Sequence, residues 1–227
     1  MEYSLYTDYL LILVILIVPL IAQIKVKGNY NKYMGVKNKD GLTGFEVARK
    51  ILDKNGLTEI HIVETRGILT DHYDPSRKVV RLSHDVFHGD SISSISIAAH
   101  ECGHVIQDKE GYTFMRIRSL IFPIVNIATT FSYIVIFIGI ILSMMELFYL
   151  GIALTCCGLL FQLITLPVEF DASKRAKKEI TELHIASPDE EDGVKKVLSA
   201  AAMTYVAGVL ASLLQIVRLL LIFNNRD

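Results

Sequence analysis

The chain has 227 residues, 52% of them hydrophobic, with 23 Lys and Arg set against 24 Asp and Glu for a net charge of −1. That balance excludes a strongly basic nucleic-acid-binding surface, and the apolar content excludes a disordered chain. A mean hydropathy of +0.41 points to a membrane protein, and no phosphate loop, dinucleotide fingerprint or internal repeat competes with that reading.

Tyr9–Ile24 is an apolar run just long enough to cross roughly 30 Å of hydrocarbon as a helix. Glu2 and Asp8 precede it, no basic region opens it, and no small-residue cleavage site stands before Lys25, so it reads as a retained anchor rather than a secretory signal. Lys25, Lys27, Lys32, Lys37 and Lys39 follow it, which puts the N-terminus outside the cytoplasm and residues 25–118 inside. Within that region Gly41–Asn55 is predicted to be an amphipathic helix after a capping Thr43, with Phe45, Ala48, Ile51 and Leu52 on one side. Ile60–Glu64, Ile68–Asp71 and Lys78–Leu82 are candidate strands, the last two flanking a turn at Asp74-Pro75-Ser76-Arg77. His84 and His88 are also spaced i, i+4 and could make a second metal pair if Leu82–Gly89 were helical, but Gly89-Asp90 argues for a break there, and the pair reads as surface or cleft residues. His61, His72 and His184 have no partner spacing and read as structural or exposed.

Ser91–Gln107 contains no Pro, has apolar residues at Ile92, Ile95, Ala98, Ala99 and Val105, and can be capped by Asp90 or Ser91, so it reads as a helix. It contains His100-Glu101-Cys102-Gly103-His104, an HExxH. One helical turn separates His100 from His104, so both imidazoles can address one ion, while Glu101 flanks that face and can take a proton from the attacking water. Zinc is the favoured ion, one per chain, because its catalytic sites use about three protein ligands and leave a position open. Cys102, two residues past His100, points off the ligand face and reads as a small buried side chain.

A third ligand is needed. The metzincin pattern is disfavoured, because Gln107 and Glu110 stand where that class has Gly and His. A glutamate from a later helix would make a gluzincin, with Glu110, Glu146, Glu169, Glu179 and Glu182 as candidates. Ser119–Ser143 and Leu147–Pro167 are the second and third spans, joined by Met144, Met145 and Glu146 in a connection free of Lys and Arg and therefore external. That topology excludes Glu146 and favours Glu169, just past the third span on the side of the histidines; Glu179 and Glu182 read as solvated. Lys174, Arg175, Lys177, Lys178, Lys195 and Lys196 keep the next stretch inside, and Ala201–Phe223 leaves again, with both termini outside. Arg218, within this last span, is expected to snorkel toward the outer interface, the alternative being a buried partner or a lipid contact. Ser187–Gly193 reads as a solvated loop, and Cys102, Cys156 and Cys157 as reduced thiols without disulfide-framework spacing.

Ala98–Gln107 around the HExxH, together with Asp71-His72-Tyr73-Asp74-Pro75, Arg81-Leu82-Ser83, Leu166–Ser173 and Thr204–Ala207, resembles the YugP-like neutral zinc metallopeptidases of bacterial membranes over nearly the whole chain. The resemblance implies a membrane-embedded zinc endopeptidase with a gluzincin-type centre. A more distant likeness to HtpX-type and CAAX prenyl proteases, whose later motif is Glu-x-x-x-Asp, places Glu169 on the ligand position and Ser173 on the Asp position. Either Ser173, by a neutral hydrogen bond, or Asp171 then orients a ligand histidine. Arg175 and Tyr205 are the candidate oxyanion donors.

The expected architecture is a mainly α membrane protein of four transmembrane helices with a small α+β zincin-like cytoplasmic catalytic region. Residues 1–24 form the anchor, 25–118 the catalytic region, 119–167 a transmembrane hairpin, 168–200 the cytoplasmic segment with the third ligand, and 201–223 the last span. The expected reaction is peptide-bond hydrolysis at the cytoplasmic face of the cell membrane, with polypeptide substrates that include membrane proteins or their juxtamembrane segments, and no nucleic acid. The alternative is a non-proteolytic membrane scaffold or binding protein with a structural zinc site, which four closing ligands would characterise.

Overall fold

The structure is a computed structural model that describes residues 5–224. Seven helices and three strands follow in the order α1 (Leu5–Met34), α2 (Gly44–Lys54), β1 (His61–Thr65), β2 (His72–Asp74), β3 (Val79–Ser83), α3 (His84–Phe87), α4 (Ile92–Glu110), α5 (Thr113–Ile141), α6 (Met145–Glu182) and α7 (Glu191–Asn224). The chain divides into two compact units: residues 5–23, 116–166 and 204–224 make one, residues 24–115 and 167–203 the other.

The first unit is helical and apolar. α1, α5, α6 and α7 are each long and apolar enough to cross a membrane. Ile136, Phe148, Ile152 and Leu219 form its small buried cluster, and Ser212 donates to Gln162 at 3.0 Å between α7 and α6. Arg218 has a protein partner in this unit. Its Nε donates to Asp8 Oδ1 at 2.7 Å and its Nη2 to Asp8 Oδ2 at 3.1 Å, a bidentate pair between α7 and α1. A guanidinium in an apolar helix gains from a facing carboxylate, and this partner lies 210 residues away where no local pattern reveals it.

The second unit has an α+β core. α2 is fixed by a reciprocal capping box, in which the Glu46 backbone N–H donates to Thr43 Oγ1 and the Thr43 backbone N–H donates to Glu46. Its Val47, Ala48, Ile51 and Leu52 are fully buried beside Ile95, Ala98, Ala99 and Cys102 of α4. Each large aliphatic side chain there contributes about 1.5–3 kcal/mol of burial, which holds α2 to α4. The sheet order is β1-β3-β2: β3 is central, parallel to β1 from His61↔Val79 to Thr65↔Ser83 and antiparallel to β2 from His72↔Arg81 to Asp74↔Val79.

One expected strand moves, and one glutamate changes environment. The second strand is His72–Asp74 rather than Ile68–Asp71, because Gly67 and Leu69 both take positive φ and Thr70 Oγ1 bonds back to Arg66 O, turning the chain where pairing was expected. Glu179 is buried instead of solvated: Lys54 of α2 reaches it at 2.9 Å and Glu182 at 2.5 Å. The loop ahead of α4 is fastened by the Asn38 and Ile92 backbone N–H groups, which donate to Asp90 O and Val36 O. Ser91 is the N-cap, its Oγ accepting from the Ser94 backbone N–H. α4 ends at Gly111 in the left-handed conformation, where the Tyr112 N–H returns to Gln107 O.

Candidate metal centre

α4 and the stretch of α6 after Pro167 build the site together. On α4, His100 and His104 stand one turn apart with ring centroids 4.8 Å from each other and ring planes nearly perpendicular. On α6, Val168, Ala172 and Ala176 are fully buried and form the seam turned to the core of this unit. Gly103 lets that seam come close, since a Cβ there would lie 2.5 Å from the Ala172 carbonyl oxygen. The close approach delivers Glu169, whose Oε2 lies 3.3 Å from His100 Nε2 and 3.6 Å from His104 Nε2.

These three donors are one of two groups of metal-ligand type whose atoms all lie within 4.8 Å of one another among the described residues. Bonds of about 2.0–2.1 Å in tetrahedral geometry put ligand atoms roughly 3.3 Å apart, close to the 3.3 and 3.6 Å that separate Glu169 Oε2 from the two imidazole nitrogens. Burial adds a reason for a cation, because the Glu169 side chain is only 4% exposed and a carboxylate removed from water needs opposite charge.

Each imidazole is oriented from its other nitrogen. Ser173 Oγ lies 3.2 Å from His100 Nδ1, and Gln107 Oε1 lies 3.0 Å from His104 Nδ1. With Nδ1–H donating to these oxygens, both Nε2 lone pairs face Glu169. Gln107 cannot turn freely, since its Nε2 donates to Val168 O at 2.7 Å and to Asp171 Oδ2 at 2.9 Å. Asp171 also accepts from Arg175 Nε at 2.5 Å, and Arg175 Nη1 donates to Glu110 at 2.6 Å.

So Ser173 meets a histidine directly, Asp171 reaches one only through Gln107, and the Arg175 guanidinium is engaged by two carboxylates. Tyr205 lies on α7 in the other unit. Sequence reasoning passed over Gln107 as an orienting residue, although its place three residues after His104 on one helix face was a usable signal. Replacing the fully buried Gln107 by Leu is expected to weaken zinc binding about 10–100-fold, in the range of lost outer-shell partners; titration against a chelating dye measures it.

Glu101 is buried beside this cluster. Burial, the largest influence, pushes its carboxyl up to about 7; the charges of Asp71 and Glu169 add to the rise, while His100 and the Tyr73 backbone N–H of β2 oppose it. Asp71 is held by the Ser83 backbone N–H at 2.7 Å and the Ser83 hydroxyl at 3.0 Å. Tyr73 donates to Asp108 of α4 at 2.9 Å, which ties the edge strand β2 to the metal-site helix. Cys102 faces the opposite way, its thiol 3.6 Å from Ala48 O, and burial pushes its pKa above the ordinary thiol value.

Comparison with known proteins gives the family. The model of the family described as "Putative neutral zinc metallopeptidase" matches residues 8–224. The chain is 51% identical over 207 residues to the Bacillus subtilis (strain 168) protein named "Putative membrane protease YugP", covering 91% of this chain and 92% of that one. No solved structure matches the chain. By the length of the family match and the identity to its relative, this chain belongs to the neutral zinc metallopeptidase family.

Proposed function

We propose that His100, His104 and Glu169 hold one catalytic Zn2+ and that Glu101 is the general base of a gluzincin-type endopeptidase. The convergence of one carboxylate oxygen on two Nε2 atoms, at 3.3 and 3.6 Å, carries this reading. When bound there, the ion supplies Lewis acidity, polarising a scissile carbonyl and acidifying a water molecule. Glu101 takes the proton of the attacking water at its carboxylate and passes it to the leaving amine. Ser173 and Gln107 keep both imidazoles aimed, and Arg175 acts through Asp171 on Gln107, a positioning role supported by its two ion pairs.

Three converging donors with a buried glutamate alongside favour an open catalytic centre over a structural site closed by four ligands. β2, an edge strand packed on α4, supports recognition of an extended polypeptide through backbone hydrogen bonds that read little side-chain identity. The lysines after the first and third apolar segments support a site at the cytoplasmic face. There, juxtamembrane segments of membrane proteins are the substrates within reach.

Metal content tests the ligand set. Purified protein is expected to carry one tightly held zinc per chain, and Glu169→Gln to lose it along with casein cleavage. Tight zinc retained in Glu169→Gln would remove Glu169 from the centre.

A further inference from the structure

A second cluster of ligand-type side chains lies on the α+β unit, outside the centre described above. β1 runs parallel to β3 with Glu64 opposite Leu82, and β3 continues into α3 without a linker. Glu64 therefore comes beside the turn that carries His84 and His88. His84 Nδ1 is 2.7 Å from Glu64 Oε1, and His88 Nε2 is 3.0 Å from Glu64 Oε2. The two rings are 4.9 Å apart, and all three ligand atoms lie within 4.8 Å of one another. Beside them an open depression of about 300 Å³ is bordered by Met34, His84, Asp85, His88 and Gly89.

We infer that Glu64, His84 and His88 form a second, exchangeable metal site that takes a zinc-type divalent cation. The donor set decides the class of ion. Two imidazoles and one carboxylate suit zinc and its borderline neighbours, whereas calcium and magnesium favour all-oxygen shells. The exposure of all three side chains leaves room for the waters that complete the shell. Binding replaces two imidazole–carboxylate contacts by coordination and clamps β1 to α3.

The site is the weaker of the two for a physical reason. The side chains of His84, His88 and Glu64 are 69%, 55% and 45% exposed, so ordering them costs conformational entropy. Among the described residues no hydrogen bond fixes the outer ring nitrogen of either histidine, in contrast to His100 and His104. The surface site therefore loads only when free zinc exceeds what the buried centre needs. The i, i+4 spacing offered the two histidines, on the single turn of α3 that ends before Gly89, but not the third ligand, which lies 20 residues upstream on β1.

Equilibrium dialysis of the full-length protein in detergent against buffered Zn2+, with bound metal counted by mass spectrometry, tests the site. The wild type is expected to load in two steps, one tight and one weak. His84→Ala and Glu64→Gln should each weaken the second step at least about 100-fold, beyond the effect of an outer-shell change, and leave the first intact. Glu169→Gln should do the reverse, so a failure of the catalytic reading appears separately as a tight step that survives that substitution. A wild type that stops at one ion, or a weak step insensitive to either surface substitution, overturns the second site.

Discussion

Glu101→Gln is expected to keep its zinc and lose about 10²- to 10⁴-fold of its cleavage rate, the range of a lost general acid–base group. The substitution keeps the shape and volume of a side chain that is 7% exposed, so packing against the rest of the site is unchanged. What it removes is the ability to accept a proton. Folding stability should not fall, because an amide costs less to bury than a carboxylate, and Glu101 lies near the charges of Asp71 and Glu169. Zinc by mass spectrometry, casein cleavage and a thermal melt separate the outcomes. Cleavage at the wild-type rate would sink the role as base, and loss of the ion would make Glu101 a ligand instead.

What was legible in the chain depended on whether its cause was local. The HExxH helix and the Thr43 cap of α2 are set by residues a few positions apart, and the structure places them where the pattern does, choosing Ser91 over Asp90 as the cap of the HExxH helix. Glu169 was reachable by a different route, since hydropathy and lysine placement bring it back to the side of the histidines, and the structure puts it beside both imidazoles. Contacts between distant segments were not legible. Lys54 with Glu179, Arg218 with Asp8 and Glu64 with His84 pair residues 125, 210 and 20 positions apart, and no local period marks them. Hydropathy also reads only the apolar part of a helix: α1 continues ten residues past Ile24 and α6 fifteen past Pro167, through charged sequence that the second unit packs.

Gly103→Ala is expected to damage the metal centre although it improves the helix on paper. In a helix interior the substitution gains about 1 kcal/mol of intrinsic propensity. Here the new Cβ would lie 2.5 Å from the Ala172 carbonyl oxygen and 3.1 Å from its carbonyl carbon and Cα. These are backbone atoms, so no rotamer change relieves the contact. Overpacking of this kind costs about 1–3 kcal/mol, enough to cancel the propensity gain and leave a net loss of up to roughly 2 kcal/mol. The larger effect falls on zinc, because relief requires α6 to retreat from α4, and Ala172 lies between Glu169 and Ser173 on that helix. Retreat pulls Glu169 from both histidines and Ser173 from His100 Nδ1 together, and a displacement of about 1 Å is enough to loosen a site of this kind. Cys102→Ala is the control: it changes the same helix on the face turned to Ala48 and should leave zinc affinity at the wild-type level. Equal zinc affinity in Gly103→Ala, measured by the same chelator competition, would mean that the close approach of α6 to α4 is not what holds Glu169 in place.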